Sequence, residues 1–489
     1  VNIISKTALA TRVAINAAMK SARYAFTHPE VIRNRYEAGQ RWQYGDRSAI
    51  WSHVVDARFD ADQATRWELV RKARYFEANS ALVQRIADVW EQYVVGANGL
   101  ILLPDSDDEQ WAGAAAQWFE EWGQFPDLTS LQNWATLQSL IARTWLVDGE
   151  VFLLKTRGQS PPYRPRLQLI EGHRVGTPGK MLGNPNVIDG VEIDGKGRPV
   201  AYYVQDGVDG GEYTRITADN IIHIFEPNRV GMYRGISHFY AVMNALHDLD
   251  DLERLEMQAA KDAASTTKIV KTPSGEETAE ETEWSGVQTS ETGAANPLFE
   301  YYRKVFGATT KVMKIGDEYE QFVSNRPSVV QQWYWKYLTE KVCTGVGIPI
   351  VMVFPDSMQG TVYRGVLDTA AAFFRSRSKV LETSLRQVWE YVIDTGSRFD
   401  SRIANKPADW KRLVCRPPRS PNVDVGRNSQ AMLAELEANT RTLQDVYAET
   451  GDDWKQKLRQ RAKEKDFLKS LGLTPEEALP KETKPPTGT

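Results

Sequence analysis

The spacing of apolar and polar positions changes several times along the chain, and each change marks a segment. Residues 1–62 are polar-aromatic and weakly periodic, which predicts an extended arm. From 63 to 148 the apolar residues recur at helical spacing. Trp67, Val70, Ala73 and Tyr75 begin one amphipathic helix, and Ile86, Val89, Trp90, Tyr93 and Val94 continue its pattern. Trp111, Ala115, Trp118, Phe119 and Trp122 mark another helix. Pro126 and Asp127 break the chain before a further helix over 131–147. From Gly149 to Phe225 the pattern turns to strands, with Gly195-Lys196-Gly197 between "VEI" and "PVAYYV" as a hairpin turn.

Residues 221–264 are the most informative stretch. Ile221 to Phe225 is a β-branched and aromatic run suited to a buried strand. Pro227, Gly231 and Gly235 then break the chain. From Ile236 to Ala264 there is neither Gly nor Pro, which predicts a helix of roughly 43 Å at 1.5 Å per residue. Phe239, Val242, Leu246, Leu249, Leu252 and Leu255 advance mostly by three, so the apolar surface winds around the axis. Such a helix has neighbours on several sides. It is either the central helix of one core or a helix packed between copies of itself in a ring.

Beyond it, "TTKIVKT" and "TKVMKIGDEYEQFV" read as strands flanking a polar tract over 273–293 that carries Glu276, Glu277, Glu280, Glu281, Glu283 and Glu291 and no Lys or Arg. Pro327 and Ser328 open a helix through Val342, and Gly345, Gly347 and Pro349 end it. "IPIVMVFPDSMQGT" reads as an apolar loop bracketed by breakers. A second long helix follows from about Val362 to Thr395, then a connector over 416–426, a helical C-terminal unit and a disordered tail. The fold class is α+β, mainly helical.

The strand, Arg-Gly turn and long Ala/Leu/Asp/Glu helix over 221–264 resemble the portal proteins of lambda-like tailed bacteriophages. "RYFEANSALVQRIADVWEQYVVGANGL" (74–100), "LVDGEVFLL" (146–154), "LQLIEGHRVGTP" (167–178), "GVEIDGKGRPVAYYV" (190–204) and "GIPIVMVFPDSMQGTVYRGVLDTAAAFFRSR" (347–377) resemble further segments of that family, in its order, across roughly residues 60–475. The resemblance implies a ring subunit with wing, stem, clip and crown. The arm covers 1–62, the wing 63–235, the first stem helix 236–265, the clip 266–326 and the second stem helix 327–346. The tunnel loop covers 347–361, the return helix and remaining wing 362–425, the crown 426–479 and a tail 480–489. Where the family has an Asn-Tyr-Ser-Ser-x-Arg-like stretch, this chain has Gly360-Thr361-Val362-Tyr363-Arg364, which matches in part.

By the same resemblance, Val351, Met352, Val353, Phe354, Asp356, Met358 and Gln359 form the tunnel loop in the DNA channel. Asp248, Asp250, Asp251 and Glu253 are candidates to line the channel on the stem. Glu276, Glu277, Glu280, Glu281 and Trp284 of the clip are candidates to touch an adaptor or the terminase. The implied function is non-enzymatic: a homododecameric ring at one capsid vertex through which double-stranded DNA is packaged and ejected. Its implied partners are the terminase large subunit, head-completion or adaptor proteins, the major capsid protein and weakly held, non-specific double-stranded DNA. Its place is the virion, after assembly in the host bacterial cytoplasm. The rival readings are a metal-dependent DNA-packaging nuclease and a monomeric helical scaffold.

Charge modifies this picture. With 60 Lys and Arg against 64 Asp and Glu, the formal net charge of −4 argues against tight nucleic-acid binding over the whole surface. A conduit is expected to bind its cargo weakly. The only cysteines, Cys343 and Cys415, imply no disulfide framework or Cys-rich zinc site. No apolar run approaches the ~20 residues of a membrane span, and the first residues lack a signal-peptide pattern. Nine of the 15 tryptophans precede residue 150 and are expected in the core or at subunit contacts.

Catalytic motifs are absent from the sequence. None of His28, His53, His173, His223, His238 and His247 stands in an H-E-x-x-H pair or at zinc-ligand spacing from a cysteine. There is no G-x-x-x-x-G-K-[ST] loop and no G-x-S-x-G elbow. Asp248, Asp250, Asp251 and Glu253 could in principle hold Mg²⁺, but Asp248 and Asp250 lie about 160° apart around a helix. No cofactor or metal is expected. Asp105, Asp107, Asp108 and Glu109 precede the Trp111 helix as capping acids. The basic run Lys455 to Lys469 either touches packaged DNA or is a solvated helix face. The clip acids either meet a basic adaptor or motor surface or lie on an exposed loop.

Overall fold

A computed structural model describes residues 57, 61–158, 164–206, 212–264, 269–271, 311–313, 329–354, 360–418, 432–443, 446–447 and 454–470. It divides into two compact units, one of residues 1–243 and 343–489 and one of residues 244–342. All of the expected arm but residues 57, 61 and 62, the polar tract over 273–293 and the tail lie outside the described residues.

The first unit opens with α1 (Gln63–Asn79) and α2 (Ala81–Val94). The sequence pattern predicts a single continuing helix, but Ser80 adopts extended angles (φ −109°, ψ 116°), ending α1 and starting α2 at one residue. The buried face of α1 also differs from the expected one. Trp67 and Tyr75 are exposed, while Arg66, Leu69, Lys72, Ala73 and Phe76 are buried. Arg66 draws that face inward by its ion pairs, described below.

Strand β1 (Ile101–Pro104) leads to α3 (Glu109–Trp122), whose Asp108 side chain accepts from the N–H groups of Gln110 and Trp111 as an N-cap. Trp111, Ala115, Trp118, Phe119 and Trp122 are all buried, as their spacing predicts. Helix α4 (Trp134–Asp148) starts three residues later than expected. The Asp127 carboxylate accepts from the Leu131 and Gln132 amides and holds that stretch as a turn, and Asn133 then caps the helix in a reciprocal pair with Thr136.

Antiparallel strands β2 (Glu150–Arg157) and β3 (Pro165–Glu171) follow. A four-stranded meander is built from β4 (Val187–Ile188), β5 (Val191–Ile193), β6 (Pro199–Gln205) and β7 (Tyr213–Thr217), with Gly197 at φ +80° in the expected β5–β6 hairpin. Strand β8 (Ile221–Phe225) returns to β2, giving the sheet order β3-β2-β8. Phe152, Ile170, Val175, Val191, Tyr202, Val204 and Ile221 form one buried cluster across the two sheets.

The long helix α5 (Met243–Ala264) is seven residues shorter at its start than the Gly- and Pro-free run allows. Residues 236–242 instead make four-residue turns, Tyr240 N–H to Ser237 O and Val242 N–H to Phe239 O, while His238 N–H bonds to Leu146 O of α4. The expected strands appear as β9 (Ile269–Lys271) and β10 (Lys311–Met313), paired in parallel. Helix α6 (Val329–Val346) follows.

The apolar loop expected at 347–361 contains a helical turn, α7 (Ile350–Val353), with Met352 and Val353 buried. Helix α8 (Gly360–Gly396) begins two residues earlier than expected. It lies against β3 and β8 and buries Leu381, Leu385, Val388, Trp389, Val392 and Ile393. Strand β11 (Leu413–Arg416) pairs with β1, and α9 (Trp454–Ser470) is the last described element.

Four of the seven early tryptophans among the described residues sit in two aromatic clusters. Trp90, Trp145, His238 and Phe373 form one, with ring centroids 5.1–6.0 Å apart. Phe119, Trp122, Trp134 and Trp389 form the other, at 5.0–6.0 Å.

Candidate functional site

The Arg-Gly turn before α5 is held by a buried cluster of charges and hydrogen bonds. Glu150 opens β2 and is 1% exposed; Arg234 and Arg66, at 4% and 2%, both point at it. The Arg234 Nη2 lies 2.5 Å from Glu150 Oε1, and its Nε bonds both carboxylate oxygens at 3.0–3.1 Å. The same guanidinium donates to the carbonyls of Gly172 (2.7 Å), Val175 (2.9 Å) and Asp189. Arg66 Nη1 reaches Glu150 at 2.9 Å and its Nε reaches Asp189 at 2.6 Å. The Gly235 amide donates to Glu150 at 2.8 Å, and His223 Nε2 lies 3.1 Å from the same oxygen.

Two guanidiniums and two carboxylates balance while His223 is neutral. Burial pushes the imidazole pKa down, favouring that form, against the pull of Glu150. For Glu150, burial alone would raise the carboxyl, but the charges of Arg234 and Arg66 and the His223 hydrogen bond hold it well below the usual range. The cluster is buried at Glu150, Arg66 and Arg234. Its geometry fixes backbone: Arg234 gathers three loop carbonyls, and its neighbour closes the joint. A Cβ on Gly235 would fall 2.1 Å from Gly149 O, and one on Gly149, itself at φ +88°, would fall 2.0 Å from the carbonyl carbon of Ile236. The segment leading into α5 is therefore pinned to the α4–β2 junction.

The acids of α5 are distributed around it rather than gathered. Asp250 pairs with Arg254 at 2.9 Å, and Asp251 lies 3.3 Å from His247. Glu253 accepts from Trp335 Nε1 of α6 at 2.8 Å. Asp248 is half-buried, next to the buried Leu249. Among the described residues, no group of three His, Cys, Asp or Glu side chains could hold a metal ion. Apolar side chains also stand in the open on this unit: Leu255 and Met257 on α5, and Trp333, Tyr334 and Tyr337 on α6, with Trp333 stacked on Tyr337 at 5.7 Å.

Of the seven tunnel-loop candidates, Met352 and Val353 are buried, Val351 is half-buried and Phe354 is 37% exposed. The Met352 carbonyl accepts from Arg85 of α2 at 3.2 Å. Asp356, Met358 and Gln359 lie outside the described residues, as do the clip candidates Glu276, Glu277, Glu280, Glu281 and Trp284.

The pinning residues Arg66, Glu150, Asp189 and Arg234 are not singled out by sequence reasoning. Their signal is a charged residue inside an otherwise apolar run, as in "LVDGEVFLL" and "GMYRGISHF", which requires a buried partner.

The family model described as phage portal protein, lambda family, matches residues 44–364. A probable portal protein of Halomonas phage phiHAP-1 is 23% identical over 430 residues, covering 83% of this chain and 81% of that protein. Portal protein B of Escherichia phage lambda is 24% identical over 375 residues, 67% of this chain and 68% of that protein. The portal protein of Escherichia phage N15 is 23% identical over 357 residues, 64% of this chain and 65% of that protein. Among solved structures, a chain from the virion of a native gene transfer agent particle aligns with TM-score 0.44 at 14% identity, over 78% of this chain and 93% of that one. With the family model spanning well over half of its length, this chain belongs to the lambda family of phage portal proteins.

Proposed function

We propose that this chain assembles into a dodecameric ring at one capsid vertex, the passage through which double-stranded DNA enters during packaging and leaves at ejection. The match to the lambda-family portal model over residues 44–364 carries the reading. In this reading the compact unit of residues 244–342 supplies the stem and clip, and the first unit supplies wing and crown. The exposed Leu255, Met257, Trp333, Tyr334 and Tyr337 support a ring, since that much open apolar surface on two helices calls for covering by neighbouring copies.

The chain needs no catalytic group in this role. It carries no phosphate-binding loop, so an ATP-driven terminase large subunit supplies the work and docks on the ring, with the clip acids as its contact or an adaptor's. Head-completion proteins replace it afterwards, and the major capsid protein holds the rim. The protein assembles in the host bacterial cytoplasm and stays in the virion. Asp248, Asp250, Asp251 and Glu253 line the channel and lower DNA sticking, an effect that fades beyond about 8 Å at physiological salt. Residues 347–361 form the constriction, and Met352 and Val353 are its buried part.

Negative-stain microscopy of the purified full chain tests the reading. Closed rings with a central channel are expected. Monomers alone under all assembly conditions, or Mg²⁺-dependent DNA cleavage abolished by Asp250→Ala, would overturn it in favour of the scaffold or nuclease.

A further inference from the structure

Helix α9 segregates charge unlike any other described part of the chain. Its 17 residues, Trp454–Ser470, carry Lys455, Lys457, Arg459, Arg461, Lys463, Lys465 and Lys469 against Glu464 and Asp466; seven against two leaves +5. The whole chain is −4, so the remainder carries −9. At 100° per residue the cations fall on two ridges. Lys457, Arg461, Lys465 and Lys469 advance by fours along one ridge, about 18 Å from end to end, and all four are exposed. Arg459 and Lys463 stand about 160° round the axis from their neighbours on that ridge, on the opposite face. The two acids flank the first ridge, and neither stands four residues from a cation; Glu464 accepts from Gln460 at 2.9 Å.

This arrangement works against the helix itself. Like charges at i and i+4 repel, and the Lys457–Lys469 ridge contains three such pairs in succession. A sequence selected only for a solvated helix would alternate signs at that spacing. A polyanion laid along the Lys457–Lys469 ridge turns the same repulsion into attraction and releases its own counterions. The apolar residues do not form a separate face: Trp454 and Leu458 fall among the cations of the first ridge, while the 64%-exposed Phe467 lies on the far side. A helix that lies in a lipid surface needs its apolar face apart from its basic one. A repeating row of phosphates needs only the cations.

We infer that α9 is a phosphate-backbone contact for double-stranded DNA, read without regard to sequence. The inference rests on the portal reading for the source of the duplex, the packaged genome. It places the grip on one helix while the rest of the chain, net negative, stays weakly attractive or repulsive. DNA is held at α9 and slides elsewhere.

The test uses the full-length chain and a short labelled random-sequence duplex, with binding followed by fluorescence anisotropy across about 50–200 mM salt. The triple variant Arg461→Gln, Lys465→Gln and Lys469→Gln should flatten the plot of log affinity against log salt by up to about 2.7, at about 0.9 per lost phosphate contact. Over that fourfold salt range the wild-type loss of affinity then exceeds the variant's by up to about 40-fold. Glu464→Gln with Asp466→Asn should do the reverse and tighten binding. Because all five side chains are exposed, circular dichroism should show both variants folded. Equal slopes for wild type and triple variant overturn the inference, as does binding to phosphatidylserine vesicles without binding to duplex. Microscopy of the same samples separates the two readings. Rings with unchanged slopes sink the α9 contact alone, whereas a salt-dependent α9 contact on a chain that never forms rings sinks the portal reading alone.

Discussion

Replacing Arg234 with Met removes one charge from the centre of the pin and leaves its shape largely filled. Glu150, 1% exposed, then keeps only Arg66, His223 and the Gly235 amide, and the carbonyls of Gly172 and Val175 lose their donor. Breaking a buried ion pair by removing one partner costs about 3–5 kcal/mol, because the other charge stays buried without compensation. In a large domain each kcal/mol moves the thermal midpoint by about 2 °C, so scanning calorimetry should show a drop of about 6–10 °C. Arg234→Lys should fall between, since an ammonium keeps the charge but cannot reach Glu150 and three separate carbonyls with one planar fork. Arg198→Ala, which removes a 79%-exposed partner of Asp194, should leave the midpoint unmoved.

The same variant has a pH signature. Glu150 is depressed in the fold, so its contribution is complete above the unfolded carboxylate value of about 4.3 and is lost as pH falls through the lower folded value. Losing Arg234 raises the folded value, and acid unfolding should begin at higher pH. Adding Glu150→Gln to Arg234→Met should cost less than the two single changes summed, because the stranded charge is gone. Strict additivity, or a midpoint for Arg234→Met no lower than for Arg198→Ala, would refute the claim that the cluster acts as one charged unit.

The remaining predictions concern other parts of the first unit and the channel. Burial between Trp90 and Trp145, with Arg377 adding to it, lowers the His238 pKa to about 3. The unfolded chain therefore takes up a proton near 6.5 that the fold refuses, and stability falls by about 1.4 kcal/mol per pH unit as pH drops from there towards 3; His238→Phe should flatten urea midpoints between pH 6 and 4 by that slope. Two glycine changes should have opposite signs: Gly235→Ala drives a methyl into Gly149 O and destabilises, whereas Gly113→Ala, exposed within α3 with nothing within 4 Å, should stabilise by about 0.5–1 kcal/mol in denaturant melts. Cysteine placed at Asp356 or Gln359 should crosslink adjacent subunits in empty rings and change when DNA fills them; complete protection from thiol reagents would put that stretch in the wall. Reversing the charge of Asp248, Asp250 and Asp251 should slow DNA exit, and unchanged packaging and ejection would assign them to subunit contacts.

What the sequence made legible is what depends on local pattern. The α3 tryptophans, the β5–β6 hairpin and the strand before α5 follow from spacing and breakers alone, and the structure places them as expected. Two of the errors share one physical cause, a long-range contact that overrides a local preference. Residues 236–242 contain no helix breaker, yet they do not join α5, because His238 N–H bonds to Leu146 O and the Gly149–Gly235 contact leaves no room for another path. The buried face of α1 is misread from its apolar residues because Arg66, the most polar choice for a core, is drawn in by Glu150 and Asp189, which lie 84 and 123 residues away in the chain. Periodicity has no access to such partners. The one hint available was the isolated charge in an apolar run, and it points to a partner without naming it. The same logic explains why α9 was readable and its role was not: its charge is written in the local sequence, but the contact proposed for it is with another molecule, so the binding measurement must supply the missing half.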